Sequence, residues 1–99
     1  MAADQNADPV IIQLRREISD NDRSIVELVN TRLRLVATIK DYKARQSIEF
    51  LDADREHWML RYLQRTNRGP LSAPGLDELF GEILALTKRE VARLEVTEP

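Results

Sequence analysis

A seven-residue apolar repeat runs from Val10 to about Gln46, uninterrupted by Pro or Gly. One register holds Ile11, Ile18, Ile25, Arg32, Ile39 and Gln46, and its companion holds Leu14, Asn21, Leu28, Leu35 and Tyr42. Apolar residues at this spacing line one stripe of an α-helix and pack against a matching stripe. The repeat predicts one continuous helix of about five heptads. At ~1.5 Å per residue it makes a rod of roughly 54 Å. A compact chain of this size has a radius of gyration near ~13 Å, so the rod does not fit a single-chain globule. It needs a partner, and the simplest is a second copy lying antiparallel.

Cations on the rod sharpen this expectation. Arg32 stands in the seam, where an apolar residue is expected and an unpaired guanidinium would be costly. Lys43 lies 11 residues on, about three turns, and so shares its face. Arg15 is 28 residues from Lys43, or roughly 42 Å. It cannot serve the same pocket within one chain, but in an antiparallel dimer it reaches the partner's. Taken singly, Arg15 and Lys43 also read as solvated helix charges.

Composition narrows the class. Ninety-nine residues make one domain, 1–99, with a core of about 10–94 between polar tails at 1–8 and 95–99. The chain is 42% hydrophobic and 32% charged, with 3 Gly and 4 Pro, which suits an all-α protein. Two Phe, one Trp and two Tyr leave the core to Leu, Ile and Val. A core this modest again favours an oligomer. The net charge of -2 argues against nucleic-acid binding, which calls for a basic face. No Cys is present to form disulfides or thiolate metal sites, and a single His, His57, is a poor basis for a transition-metal centre. No apolar run approaches the ~20 residues of a membrane span, and no signal peptide is read. A cytoplasmic protein is expected.

Two shorter helices follow the rod. Asp8-Pro9 starts the first helix, with Asp as cap and Pro in the first turn. Gln46 to Leu51 lacks a helical period and reads as a loop whose Ile48, Phe50 and Leu51 tuck onto the core. Asp52 caps a second helix, about Ala53–Thr66, with an apolar stripe of Trp58, Met59, Tyr62 and Leu63. Asn67-Arg68-Gly69-Pro70 stops it, with Gly69 as C-terminal cap. A third helix, about Gly75–Leu94, buries Leu76, Leu79, Phe80, Ile83, Leu84, Thr87, Val91 and Leu94.

The three glycines lack the spacing of a phosphate loop, and no nucleophile–His pair is supported. Asp52, Asp54 and Glu56 could form a carboxylate pair, but capping and the helix dipole account for acids at a helix start. What remains is a set of inward cations and hydrogen-bonding groups: Arg32, Lys43, Arg55, Glu56, Thr87, and Arg15 from a second chain. Such a cage suits a small dianion. If it is catalytic, it suits a reaction needing shape restriction and charge stabilisation rather than covalent chemistry.

The chain resembles the all-helical chorismate mutase family over about residues 10–94. The matching stretches are Leu14-Arg15-Arg16-Glu17-Ile18-Ser19 with Asp22, Val29-Asn30-Thr31-Arg32, and Ile39-Lys40-Asp41-Tyr42-Lys43. They continue with Asp52-Ala53-Asp54-Arg55-Glu56, then Gly69-Pro70-Leu71 leading to Leu79-Phe80-Gly81-Glu82-Ile83. The resemblance implies an intertwined homodimer of three helices per chain and the rearrangement of chorismate to prephenate, without a cofactor. It implies that Arg32, and Arg15 from the partner, each hold a substrate carboxylate. Lys43 would bond the ether oxygen and a carboxylate. Arg55 would help to position Glu56, and Glu56 with the backbone of Asp52 would hold the ring hydroxyl. Thr87 falls where the family has a small hydroxyl residue near a carboxylate.

One position departs from the pattern. Four residues after Thr87 the family usually has Gln or Glu, a second donor to the ether oxygen, but here stands Val91. Lys88 or a re-phased Glu90 is the expected substitute; otherwise Val91 is core and the site is altered. The departure keeps open a same-fold enzyme acting on 4-amino-4-deoxychorismate or isochorismate. A non-catalytic helical dimerisation module is the alternative from another class, and it leaves Arg32 unexplained. Whether a larger synthase binds and activates the protein is left open.

Overall fold

In the computed structural model of the chain, residues 7–97 are described. Three helices appear in order, α1 (Pro9–Arg45), α2 (Ala53–Thr66) and α3 (Ala73–Thr97), and no strand occurs among the described residues. The polar tails expected at 1–8 and 95–99 fall partly outside them. Where described, Glu95 to Thr97 continue α3 rather than forming a tail.

Each helix end has a local cause. Asp8 starts α1 by accepting from Val10 N–H at 2.8 Å through Oδ1, while its carbonyl accepts from Ile12 N–H at 3.0 Å. The far end closes through Ser47 N–H to the Ala44 carbonyl at 3.2 Å and Ile48 N–H to the Lys43 carbonyl at 2.8 Å. This pair of bonds requires a left-handed residue, and Ser47 supplies it at φ 59°. Asp52 caps α2 by accepting from Arg55 N–H at 3.0 Å.

The stop after α2 differs from expectation. Asn67, not Gly69, is the cap, in an extended conformation, with its N–H donating to the Leu63 carbonyl at 2.9 Å. Its side chain then organises the turn, donating to the Leu71 carbonyl at 2.8 Å and accepting from Gly69 N–H at 3.0 Å. Gly69 takes the left-handed conformation two residues later, at φ 73°. Helix α3 begins earlier than expected because Ser72 caps it, accepting from Gly75 N–H at 3.0 Å. Pro74 is accommodated in the first turn, where no helical donor is needed.

The chain divides into two units, Met1–Arg32 and Leu33–Pro99, with the boundary inside α1. The described part of the first unit is almost wholly the leading stretch of α1, and none of its residues is buried. The second unit holds the end of α1, the loop, α2 and α3. Within it α2 and α3 are joined by Gln64, whose Nε2 donates to the Ala73 carbonyl at 2.7 Å and to Asp77 Oδ1 at 2.9 Å.

Burial is sparse. Among the described residues only Leu76, Val91 and Thr87 are buried. The heptad residues Leu14, Ile18, Ile25, Leu28, Leu35, Ile39 and Tyr42 are all exposed, Leu28 to 69%. Three packing expectations fail in part in the single chain. In the loop only Phe50 is half-buried, while Ile48 and Leu51 are exposed. On α2, Met59 and Leu63 are half-buried, but Trp58 and Tyr62 stack on each other at 5.3 Å and stay exposed. Leu79 and Leu94 of the α3 stripe are exposed too.

Candidate functional site

The second unit carries most of the expected site. Lys43, near the end of α1, is half-buried, and its Nζ donates to the Phe50 carbonyl at 3.3 Å. One turn earlier the Lys40 ammonium lies 5.1 Å from the centre of the Phe50 ring. Phe50 is thus held by two lysines, one on its backbone and one on its ring face. The chain then enters the α2 cap at Asp52, which places Arg55 and Glu56 on the first turn.

Those two neighbours diverge. The Arg55 guanidinium lies 4.4 Å from the centre of the Trp58 ring. The Glu56 carboxylate reaches across to α3, where its Oε1 is 3.2 Å from the Lys88 Nζ. Further ion pairs, Arg23–Asp20, Arg45–Asp41 and Arg93–Glu90, each lie within one helix at i,i+3 or i,i+4 spacing. Lys88–Glu56 joins two helices.

Residues 87–91 of α3 show how the remaining positions are used. Thr87 is buried and donates its hydroxyl to the Ile83 carbonyl at 2.6 Å. That proton is directed into the helix, so donation to a ligand requires the hydroxyl to rotate. Glu90 is half-buried, with Oε1 3.7 Å from Arg93 Nη1. Val91 is 1% exposed and is a core residue. In the first unit, Arg15 is exposed and borders an open depression with Ile12, Arg16, Ser19 and Asp20, and Arg32 is half-buried.

The second unit therefore unites Glu56 with Lys88 and sets Asp52, Arg55 and Glu56 on one turn. Lys40 and Gln64 make contacts that sequence reasoning misses. Lys40 is one of several polar residues on the rod, and its aromatic partner sits in a loop without periodicity. Nothing in the sequence distinguishes Gln64 from an exposed helix glutamine.

Residues 14–91 match the family described as chorismate mutase type II. The chain belongs to this family. Among solved structures it is similar to chorismate mutase form II from Thermus thermophilus, with 32% identity and a TM-score of 0.78, covering 84% of this chain and 94% of that one. Form I from the same source gives 34% identity and a TM-score of 0.75, over 78% and 96%. Bifunctional chorismate mutase/prephenate dehydratases are similar as well. That of Pseudomonas aeruginosa is 30% identical over 77 residues, covering 73% of this chain. That of Stutzerimonas stutzeri is 33% identical over 78 residues, covering the same share. The chain spans 21% of the length of these curated relatives. As expected of a chorismate mutase family chain, its described residues form three helices and no strand. No metal-binding cluster of His, Cys, Asp or Glu occurs among the described residues, and none of their helices is long and apolar enough to cross a membrane.

Proposed function

We propose that the protein is a chorismate mutase that rearranges chorismate to prephenate in phenylalanine and tyrosine biosynthesis. The observation that carries this reading is the extent of the family match. It runs over residues 14–91 and so includes every residue given a role, from Arg15 to Glu90.

The reaction is pericyclic, so the protein has no bond of its own to make. It selects the folded diaxial conformer and stabilises negative charge growing on the ether oxygen. Arg32, and Arg15 of a second copy, hold the two carboxylates by charge-assisted hydrogen bonds. Lys43 donates to the ether oxygen, a type of contact whose loss typically raises the barrier by ~3–4 kcal/mol. Glu56 and the Asp52 backbone hold the ring hydroxyl, Arg55 supports that turn, and Thr87 serves a carboxylate once its hydroxyl rotates. Val91 has no donor; Lys88 and Glu90 are polar neighbours of it in sequence, and Glu90 donates to an ether oxygen only as a protonated carboxyl.

The working form is a homodimer in which residues 1–99 act as one domain and each site takes Arg15 from the partner. The exposed heptad seam supports this, because a helix with so many uncovered Leu and Ile side chains has apolar surface to bury. A cytoplasmic location, and activation by a larger synthase, belong to the same proposal. The relatives that are bifunctional chorismate mutase/prephenate dehydratases are consistent with a larger partner.

Chorismate disappearance on the purified protein tests the activity, with Arg32→Ala as the inactive control. Mixing tests the shared site. Arg15→Ala and Lys43→Ala chains are each expected to be nearly inactive. Refolded together in equal amounts, they should regain about a quarter of wild-type activity, because half the dimers are mixed and each carries one intact site. No recovery would place both residues in one chain's site. The departure at Val91 favours one second reading, turnover of 4-amino-4-deoxychorismate or isochorismate. Assaying the three substrates side by side separates these, since their products differ in absorbance.

A further inference from the structure

We infer that Lys88 is a positioning residue that acts on the substrate through Glu56. This rests on the chorismate mutase reading and assigns Lys88 a role other than direct donation to the ether oxygen.

Glu56 lies on the first turn of α2 with Asp52 and Asp54, so three acids stand close together in sequence at the end of a site meant for a dianion. Left alone, they would repel the ligand. The neighbouring cation Arg55 is spread over the Trp58 ring at 4.4 Å. The cation that meets the Glu56 carboxylate is Lys88, from the other helix, at 3.2 Å.

That contact does two things. One carboxylate oxygen, Oε1, is engaged, which holds a flexible side chain in one orientation and leaves Oε2 for the hydroxyl of a bound ligand. The ammonium also offsets the Glu56 charge where the dianion approaches. Lys88 follows directly on Thr87, which is buried in the core, so its backbone is firmly placed. The pair is part-exposed, with side-chain exposures of 48% and 32%, so its effect on folding is small. Its effect belongs to ligand binding.

Direct donation and positioning predict different kinetics. A donor used only in the transition state lowers kcat, whereas a group that orients a ground-state contact raises KM. Lys88→Ala is expected to raise KM for chorismate about tenfold with kcat within about threefold of wild type, and with the thermal midpoint unmoved. Lys88→Arg should restore most of the loss. Glu56→Ala should abolish the effect of Lys88→Ala, so that the double variant behaves as the Glu56 single. The inference is overturned if Lys88→Ala lowers kcat a hundredfold at unchanged KM, if it changes neither constant, or if the two substitutions act additively. Wild-type protein that leaves chorismate untouched defeats the functional reading itself. Active wild type with an indifferent or additive Lys88→Ala defeats only the positioning role.

Discussion

Val91 shows at the residue scale where sequence reasoning stops. Its place on the α3 stripe is readable from periodicity, and so is the departure from the family pattern. Whether it faces a site or the core is not, because the same spacing serves both. The structure encloses it, at 1% exposure. Val91→Gln, which restores the residue type usual in the family, is therefore expected to lower stability by about 1–3 kcal/mol by taking an amide out of water at a buried apolar position. Urea denaturation measures this, and a variant as stable as wild type would mean that the side chain has room and solvent. The pairing of Lys88 with Glu56 is equally hidden. Both stand out in the sequence as site residues, but no local rule relates two side chains 32 positions apart.

The elements themselves are largely legible in the sequence, and their ends less so. Helix α2 falls at the expected residues because Asp52 is a strong cap followed by an amphipathic stripe. The start of α3 is harder to place because Pro74-Gly75 reads as a turn, while Ser72 provides a cap that lets both residues enter the helix. Asn67 displaces Gly69 as the cap of α2 because its side chain reaches both directions across the loop. At the end of α1, Ser47 holds a conformation that costs a residue with a Cβ about 1–2 kcal/mol. Ser47→Gly is expected to stabilise the protein by about 0.5–1 kcal/mol, since glycine adopts that φ without strain. A fall in the thermal midpoint would mean that the serine side chain makes a compensating contact.

For the molecule as a whole, the heptad repeat is the most informative stretch of sequence. It predicts both the continuous α1 and the apolar residues that one chain leaves uncovered. The loop and α2 expectations fail because they assume a core that a single chain does not complete: Ile48, Leu51, Trp58 and Tyr62 remain exposed. Leu28, 69% exposed, tests whether a second chain covers the seam. In a monomer, Leu28→Glu would be harmless surface chemistry. In the proposed dimer it places charges in an apolar interface and is expected to yield a monomer by sedimentation, with turnover lost. A variant that sediments and reacts like wild type would refute the seam as an interface.

The scarcity of enclosed side chains has a consequence for handling the protein. If two chains complete each other's interior, association and folding become a single equilibrium, and the melting temperature rises with concentration. Rate per molecule should then fall on extreme dilution as subunits separate and unravel, and a saturating dianion should delay that decline.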